Sequence, residues 1–335
     1  MRPSFPLAVD LELTDACNLA CRHCMAADGQ PISTLPTETA LNLLDEFAGV
    51  GVHALSLTGG EPTLHPDFVS VLRRGAELGF HLQVSTNAVA LDPVAVAELA
   101  TTRAFVNVSL DGADAATHDE LRGLAGAFSA TCEGIKTLTQ AGARVRVETV
   151  LMQANANQIP HLARIAARLG ASRYVVNDLR VTGRAASGSE NGLRASDATL
   201  FRVATELPAI GRAAGIAVEP VRWTGEHPGA DRRGDCSAAV VKCGVHADGT
   251  FVPCLLFPPS IGLPGLGPAW QSRLFAEVAD AVTNPGAGCA VNGETPCPGC
   301  GGGCRAAAYA LTGSVAGPDP SCRREPQRSA EEVGA

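Results

Sequence analysis

The stretch from Val9 to Cys24, which reads VDLELTDACNLACRHC, decides how this chain is interpreted. Its first six residues alternate apolar and polar side chains, which is typical of a β-strand. Its last eight residues place three cysteines in the spacing CxxxCxxC. Three thiolates on one short loop can bind three irons of a [4Fe–4S] cluster and leave the fourth iron open to a small molecule. The stretch therefore predicts a strand that leads into a reactive iron–sulfur loop, with Cys17, Cys21 and Cys24 as ligands.

Two other uses of these cysteines have to be weighed. A zinc site usually takes four ligands in two separated pairs, whereas the next cysteine after Cys24 is Cys132. His23 is adjacent to Cys24, which makes joint tetrahedral ligation awkward. Disulfides are disfavoured because the first ten residues lack the apolar segment of a signal peptide, and cytosolic thiols stay reduced. The ligand pattern favours iron and sulfur.

Composition limits the class of protein. A length of 335 residues with 46% hydrophobic content suits two domains with a real core. The net charge is −8 and no Lys/Arg cluster stands out, which argues against nucleic acid as a partner. Apolar segments are interrupted well before the roughly 20 residues of a membrane span. Many thiols without an export signal indicate a cytoplasmic protein.

Up to about residue 178, short β-rich runs alternate with amphipathic helical segments. Asp92-Pro93 predicts a helix start, and Gly79, Gly142 and Gly170 stand where helices should stop. This order predicts parallel strands with helices outside. A doubly wound sheet would also fit, but the first strand is followed by cysteines and not by GxGxxG. In either architecture the sites form at the carboxyl ends of the strands. The predicted strands cover residues 9–14, 53–58, 81–86, 104–110, 144–151 and 173–177.

After a predicted helix over residues 197–215 the composition changes. Residues 223–335 are rich in Gly, Pro and Cys and have few long periodic segments. Such a region suggests a small domain ordered by metal more than by apolar volume. We therefore divide the chain into domains over 1–215 and 216–335. Eight of the twelve cysteines lie from Cys236 onward, enough for two [4Fe–4S] clusters or, as the alternative, two zinc knots.

Together with CxxxCxxC, three later motifs resemble the radical S-adenosylmethionine (SAM) superfamily, and its peptide maturases in particular. These motifs are GGEP at residues 59–62, SLDG at residues 109–112 and HDELRG at residues 118–123. The resemblance implies a partial (β/α)6 barrel that binds SAM on the first cluster. Taken alone, GGEP is also ordinary turn chemistry, and STN at residues 85–87 and SLDG are also ordinary capping sequences. The implied SAM contacts are Gly59, Gly60 and Glu61 for the amino group, Ser109 and Arg122 for the carboxylate, and Asn87 and Asp111 in addition.

The C-terminal cysteines are similar to the SPASM extension of radical SAM enzymes. The resemblance rests on DGTFVPC at residues 248–254, CGGGCRAAA at residues 300–308 and PDPSC at residues 318–322. The spacing departs from the family at Cys289, because x7, x2 and x3 replace x2, x5 and x3. The resemblance implies a near auxiliary cluster and a distal one, which makes three [4Fe–4S] clusters in all. The near ligands would be Cys236, Cys243, Cys254 and Cys304, and the distal ligands Cys289, Cys297, Cys300 and Cys322.

Two features outside these sets remain. Cys132 lies in a predicted helix, where a free cysteine is usually packing material, and a hydrogen-donor role is the alternative. The segment from Asn177 to Ala185 resembles the family's GRA turn near the barrel mouth. Its Arg180 and Arg184 either orient substrate or SAM, or form structural salt bridges.

The resemblance implies an oxidoreductase in which a 5′-deoxyadenosyl radical abstracts a substrate hydrogen and the auxiliary clusters accept an electron. SPASM enzymes mostly act on ribosomally made peptides, which predicts crosslinking or side-chain oxidation. Peptide epimerisation and oxidation of a carbohydrate or aminocyclitol alcohol are the enzymatic alternatives. A noncatalytic iron–sulfur electron carrier is the alternative from another class, and the SAM-binding motifs argue against it.

Partners follow from the same chemistry. The first cluster needs a reducing partner such as flavodoxin or ferredoxin. The first strand begins by residue 9, so we expect no leader-binding domain before it. A separate protein would then recognise a leader peptide, or the barrel mouth would bind a short peptide directly.

Overall fold

The structure is a computed structural model that describes residues 2–26, 32–186, 192–219, 221, 236–284, 303–317 and 319. The predicted distal ligands Cys289, Cys297, Cys300 and Cys322 lie outside the described residues. None of the described helices combines the length and apolar character needed to cross a membrane.

Strands and helices alternate through the first two thirds of the chain. The described strands are β1 (Ala8–Thr14), β2 (Ala54–Gly59), β3 (His81–Thr86), β4 (Phe105–Ser109), β5 (Arg144–Leu151), β6 (Arg173–Asp178), β7 (Ala217–Val218), β8 (Lys242–Val245), β9 (Thr250–Val252) and β10 (Leu263–Pro264). The described helices are α1 (Thr37–Val50), α2 (Phe68–Glu77), α3 (Pro93–Thr101), α4 (Ala115–Arg122), α5 (Ala127–Gln140), α6 (Ile159–Arg168), α7 (Asp197–Ala214), α8 (Leu266–Trp270), α9 (Arg273–Thr283) and α10 (Arg305–Thr312).

The six strands predicted from the sequence are confirmed as β1 to β6, each within one residue of its predicted bounds. The predicted helix signals are confirmed as well. Asp92 accepts a hydrogen bond from the Val94 N–H at 2.7 Å and so caps α3. Gly79, Gly142 and Gly170 follow α2, α5 and α6 and all have positive φ.

The strand order distinguishes the two architectures left open by the sequence. Strands β1 to β6 lie side by side in chain order, and each pairs with the next in parallel. A doubly wound sheet would reverse its order at a switch point, and no reversal occurs here. Because parallel crossovers are right-handed, an unreversed order places all the helices on one face of the sheet. The result is the predicted partial (β/α)6 barrel.

The main hydrophobic core lies between the sheet and its helices. On β4, Val106 and Val108 are fully buried in this core. Side chains alternate along a strand, so Phe105, Asn107 and Ser109 point to the opposite face, which is the inside of the barrel. We call this the inner face. By register it also carries Gln83 and Ser85 of β3 and Arg144, Arg146 and Glu148 of β5.

The C-terminal segment joins the same sheet at both of its ends. β8 lies parallel to β1, with Cys243 opposite Val9, while β7 pairs with β6. β9 and β10 continue antiparallel beyond β8. At the β1 side, the Lys242 ammonium lies 2.6 Å from the Asp10 carboxylate.

A second charged contact fixes the residue that follows β8. His246 Nδ1 lies 2.7 Å from Glu12 Oε2, and its Nε2 lies 2.8 Å from the Phe257 carbonyl oxygen. Burial lowers the pKa of His246, but the hydrogen bond and charge of Glu12 outweigh burial and raise it. Both ring nitrogens face acceptors, so the ring is an imidazolium that donates two hydrogen bonds.

The described part of the C-terminal region has more apolar core than the sequence led us to expect. Phe251, Phe257, Leu266, Trp270 and Phe275 are all at most 2% exposed and belong to the main core. Strands of two to four residues are too short to show a period in the sequence. The predicted division near residue 215 is therefore not marked by a break in the sheet or in this core.

Leu266→Ala should lower the free energy of unfolding by about 2–5 kcal/mol, the usual range for a buried leucine in a packed core. Leu266 is 1% exposed, whereas Leu311 on α10 is 63% exposed. Leu311→Ala is the matched control and should change the free energy by no more than about 0.5 kcal/mol. Denaturant unfolding followed by circular dichroism measures both. Equal effects would mean that α8 does not share the main core.

Candidate active site

The three N-terminal cysteines lie where the sequence places them, on the loop at the carboxyl end of β1. Cys17 is exposed, and Cys21 and Cys24 are half-buried. Burial raises the pKa of Cys17, and the neighbouring Cys21 and Cys24 thiols raise it further, against a backbone hydrogen bond at Leu19 that lowers it. The three thiols therefore act on one another. We call residues 15–26 the cysteine loop.

The end of α4 packs directly on the cysteine loop. The Ala20 N–H donates to the Arg122 carbonyl at 3.2 Å, and the Arg22 N–H donates to the Leu121 carbonyl at 3.0 Å. A Cβ on Gly123 would lie 2.4 Å from the Ala20 carbonyl oxygen. Only glycine permits this approach, and its φ of 70° is also one that glycine readily adopts. Together the Arg122-Gly123 pair fixes the middle of the loop.

The Arg122 side chain points to a cysteine and to a buried carboxylate. Its Nη1 donates to Cys21 Sγ at 3.7 Å, and its Nη2 lies 2.7 Å from Asp111 Oδ2. Burial raises the pKa of Cys21, and the Arg122 charge opposes that shift. A positive charge beside a sulfur favours its thiolate, which is the form that binds metal.

Asp111 is fully buried and joins several segments. His23 Nε2 lies 3.1 Å from Oδ2, and the Val150 N–H donates to Oδ1 at 2.8 Å. The Asp111 carbonyl accepts from Asn155 Nδ2 at 2.9 Å. Burial alone would raise the pKa of Asp111, but the charges of Arg122 and His23 outweigh it and hold the pKa well below its usual range. Asp111 is therefore an anion that ties the cysteine loop to β5.

The GGEP motif contacts the beginning of the cysteine loop. The Gly60 N–H donates to the Thr14 carbonyl at 2.7 Å, and the Glu61 N–H donates to the Ala16 carbonyl at 2.8 Å. A Cβ on Gly60 would lie 2.4 Å from the Ala16 carbonyl oxygen, so this contact needs a glycine. Gly59 lies beside it, against Thr14.

The Glu61 side chain links β2 to β3. Its Oε1 accepts from Thr63 Oγ1 and Thr86 Oγ1, each at 2.7 Å, and its Oε2 accepts from the Asn87 N–H at 2.8 Å. Burial raises the pKa of Glu61, while these hydrogen bonds oppose the shift. Asn87 then reaches the cysteine loop, because its Nδ2 donates to Asn18 Oδ1 at 2.7 Å.

The GRA turn after β6 contacts the end of the cysteine loop. The Arg184 N–H donates to the carbonyl oxygens of Cys24 and Ala26, at 3.0 and 3.1 Å. Its guanidinium Nη1 donates to the Cys21 carbonyl oxygen. These contacts fix the loop backbone, and the orientation of substrate or SAM by Arg184 stays a prediction.

The predicted SAM-contacting residues thus gather around one loop. Six of them contact the cysteine loop, the residues that lead into it, or one another: Gly59, Gly60, Glu61, Asn87, Asp111 and Arg122. The seventh, Ser109, is half-buried at the end of β4, opposite Glu148. Glu61 Oε2 has one hydrogen bond and keeps capacity for a second. Arg122 Nε is buried with no hydrogen-bond partner among the described residues. Direct contact of these residues with SAM stays a prediction.

Three of the predicted near auxiliary ligands come together. Burial raises the pKa of Cys254, and the Cys304 and Cys236 thiols raise it further. The Lys242 ammonium interacts with both Cys254 and Cys236. Burial raises the pKa of Cys304, and the charge of Arg180 opposes that rise. These three cysteines form what we call the C-terminal thiol group.

Cys243 lies apart from this group. It is fully buried in the main core on β8, and consecutive residues of a strand point to opposite faces. Lys242 faces the C-terminal thiol group, so Cys243 faces away from it. Burial raises the pKa of Cys243, and the charge of Asp10 raises it further, while the charges of Lys242 and Arg2 oppose the rise.

The other cysteine and the residues missed by the sequence have identifiable places. Cys132 lies on α5, half-buried against the main core, where burial raises its pKa. His23 and Asn155 were not foreseen as partners of Asp111, because nothing in a sequence pairs residues so far apart. Asn107 and Arg146 on the inner face were also missed. Polar residues at every second position of β4 and β5 could have indicated a polar inner face, because parallel strands that are buried on both faces normally have continuous apolar sequences.

The donor set suits an iron–sulfur cluster. Three thiols on one loop, with a guanidinium beside one of them, are soft ligands of the kind that such clusters take, whereas hard cations prefer oxygen. Within the described ranges, no group of three His, Cys, Asp or Glu side chains is yet arranged as a metal site.

Asp111→Asn should lower the free energy of unfolding at pH 7 by about 3–5 kcal/mol, because it leaves Arg122 buried without its partner. The pKa of Asp111 is depressed in the folded state, so its contribution is fully present above the unfolded pKa of about 3.9. The contribution is lost as the pH falls through the folded pKa. The difference between wild type and variant should therefore be constant from pH 7 to about pH 5 and shrink below about pH 4.

Asp45→Asn is the matched control. Asp45 is half-exposed and lies 2.6 Å from Arg74. Loss of an exposed pair should cost no more than about 1 kcal/mol. Denaturant unfolding across this pH range measures both variants. Equal losses in the two would show that Asp111 is not the buried anion described above.

Comparison with known proteins follows the same lines as the geometry. Residues 11–166 match the family model described as the radical SAM superfamily. The mycofactocin maturase MftC of Mycobacterium ulcerans is 29% identical over 333 residues, which cover 95% of this chain and 88% of that protein. An AdoMet-dependent heme synthase of Methanosarcina barkeri is 37% identical over 188 residues. That alignment covers 55% of this chain and only 54% of the heme synthase.

Among solved structures, Streptococcus suis SuiB bound to the precursor peptide SuiA matches with a TM-score of 0.72 at 20% identity. The match covers 96% of this chain and 76% of the SuiB chain. At this identity the likeness is one of fold. Residues 11–166 therefore carry the radical SAM match, and the chain is a radical SAM enzyme that resembles peptide maturases.

Proposed function

We propose that this enzyme oxidatively modifies a ribosomally made peptide, by crosslinking or by side-chain oxidation. The observation that carries the proposal is the convergence of GGEP, the end of α4 and the GRA turn on one cysteine loop at the carboxyl end of the barrel. Each motif contacts a different part of the loop, so the loop is fixed along its length.

Cys17, Cys21 and Cys24 would hold a [4Fe–4S] cluster. When bound, that cluster would supply the electron that cleaves SAM and so yields a radical able to abstract hydrogen. The protein residues position these groups and keep water away. Arg122 favours the Cys21 thiolate. Glu61 and Asn87 fix the end of the barrel beside the cysteine loop, where we place the SAM amino group. Ser109 and the free Nε of Arg122 are the groups that we assign to the SAM carboxylate.

The C-terminal thiol group is the proposed near auxiliary site. Burial raises the pKa of Cys254 and Cys304, and the positive charges of Lys242 and Arg180, respectively, oppose that rise. Asp319 Oδ2 accepts from the Cys304 N–H and so fixes the loop before α10. We assign this site the acceptance of an electron from the substrate, and we assign a distal cluster to Cys289, Cys297, Cys300 and Cys322.

The alignment with a peptide maturase along nearly the whole chain supports a peptide substrate. The fold shared with SuiB, a structure that contains a precursor peptide, supports it too. A second candidate is a reaction on a tetrapyrrole in heme synthesis, favoured by the 37% identity, over about half of this chain, to an AdoMet-dependent heme synthase. We also infer that the enzyme is cytoplasmic and that a flavodoxin or ferredoxin supplies its electrons.

Replacing Cys17, Cys21 and Cys24 together with Ala should abolish 5′-deoxyadenosine formation from SAM, because the cluster that cleaves SAM loses its ligands. Anaerobically reconstituted protein with a chemical reductant is assayed by chromatography. Iron content should fall by about four per chain. Cys132→Ala is the matched control and should keep both values. If the triple variant still forms 5′-deoxyadenosine at the wild-type rate, the proposed function is wrong.

The C-terminal thiol group makes a separate prediction. Cys254→Ala with Cys304→Ala should lower iron content by about four per chain, leave SAM cleavage measurable and stop product formation. Cys243→Ala is the matched control, because its thiol faces the core. It should keep the full iron content. Loss of about four irons in Cys243→Ala as well would return Cys243 to the near ligand set.

A further inference from the structure

A basic cavity lies at the amino-terminal ends of the barrel strands, whereas the cysteine loop lies at their carboxyl ends. The cavity has a volume of about 380 Å³ and lies where β3, β4 and β5 begin. Its lining includes three arginines and a histidine but no Asp or Glu among the described residues. Its basic lining residues are His81, Arg103, Arg144 and Arg146, and the lining also includes Gln83 and Phe105.

Two of the arginines are stacked on one aromatic ring. The Arg144 and Arg146 guanidinium carbons lie 3.8 and 4.1 Å from the Phe105 ring centroid. Register explains the arrangement, because Arg144 is opposite Phe105 and Arg146 follows on the same face. Stacking on the ring fixes both guanidiniums without using their N–H groups. Two like charges are thus brought together with their donors still available.

A buried amide lies beside the arginines. Asn107 is opposite Arg146 in the sheet and is only 7% exposed. Its Nδ2 donates weakly to Gln83 Oε1 at 3.4 Å, and its Oδ1 has no hydrogen-bond partner among the described residues. Arg146 Nε is likewise buried with no hydrogen-bond partner in the described part of the chain. Buried polar groups are nearly always hydrogen-bonded, so both groups keep unused hydrogen-bonding capacity beside the cavity.

The required ligand combines an anion with a hydrogen-bond donor. Arginine forks match carboxylates, and the Asn107 oxygen needs an N–H. An acidic residue of a peptide offers both groups, the carboxylate on its side chain and the N–H on its backbone. Inorganic phosphate satisfies the arginines and, when protonated, offers an O–H and no N–H.

The inner face connects this cavity to the cysteine loop. From Phe105 to Ser109 the strand covers four residues, or about 13 Å. Asn107 and Ser109 lie between the cavity and the loop on β4, and Arg146 and Glu148 do so on β5. An extended peptide has the same rise per residue as these strands. A peptide held at the cavity can therefore reach the cysteine end of the barrel.

We propose that the cavity around Phe105, Arg144 and Arg146 binds an acidic residue of the peptide substrate and sets how far the chain enters the barrel. The proposal rests on the proposed peptide-modifying function. It adds a recognition site about four residues away from the position of chemistry.

Fluorescein-labelled hexaglutamate is the probe, and fluorescence anisotropy on the full-length chain is the measurement. The wild type should bind it, and Arg144→Gln with Arg146→Gln should weaken binding at least about tenfold, because two charge-assisted contacts are lost. Arg164→Gln is the matched control, since Arg164 is an exposed arginine on α6, outside the barrel. It should bind like the wild type. Arg144→Gln alone, at an exposed position, should weaken binding if the double variant does not fold.

Competition separates the ligand classes. Unlabelled hexaglutamate should displace the probe, and hexalysine should not. Displacement by inorganic phosphate as effective as that by hexaglutamate would overturn the peptide assignment, and stronger displacement by a porphyrin tetracarboxylate would favour the tetrapyrrole instead. Equal binding by wild type and the double variant would overturn the site. Because binding is measured without SAM, these outcomes are independent of whether 5′-deoxyadenosine is formed.

Discussion

The whole site depends on the backbone contacts that fix the cysteine loop. The loop has no regular structure of its own. Near its start, the Ala16 carbonyl accepts a hydrogen bond from the Glu61 N–H. The Cys21 carbonyl accepts from the Arg184 guanidinium, and the Cys24 carbonyl accepts from the Arg184 N–H. Gly60 and Gly123 lie so close to it that a methyl group at either position would overlap a carbonyl oxygen. A chemically simple loop thus acquires a defined shape from three distant parts of the barrel.

This constraint changes the meaning of the sequence motifs. GGEP and the Arg-Gly pair were interpreted as ligand contacts, and in the structure their first partners are loop atoms. Their glycines admit the loop backbone, while Glu61 and Arg122 join neighbouring elements to it. Residues that position a cofactor-binding loop and residues that touch the cofactor can therefore share one motif, since both must lie within a few ångströms of the same cysteines.

The sequence predicted the strands and helix ends of the barrel to within about one residue, but it did not predict which charged residues pair with each other. The strands were visible because β-branched runs end at Gly, Asp or Asn, and the helix stops because Gly79, Gly142 and Gly170 take a backbone conformation that few other residues tolerate. The pairing of His23 with Asp111, or of Glu12 with His246, depends on which strands become neighbours. Spacing also cannot reveal that Cys243 lies on the core face of β8. The described C-terminal core was missed because its elements are short.

The pairing of β8 with β1 has a consequence for synthesis of the chain. Ala8 is opposite Lys242, so one side of the first strand obtains its partner only after more than two thirds of the chain has left the ribosome. Until then β1 is an edge strand with unpaired backbone groups, and such edges invite association with other chains. Contacts between residues so distant in sequence also slow folding. The unpaired edge of β1 is therefore an aggregation hazard until β8 arrives.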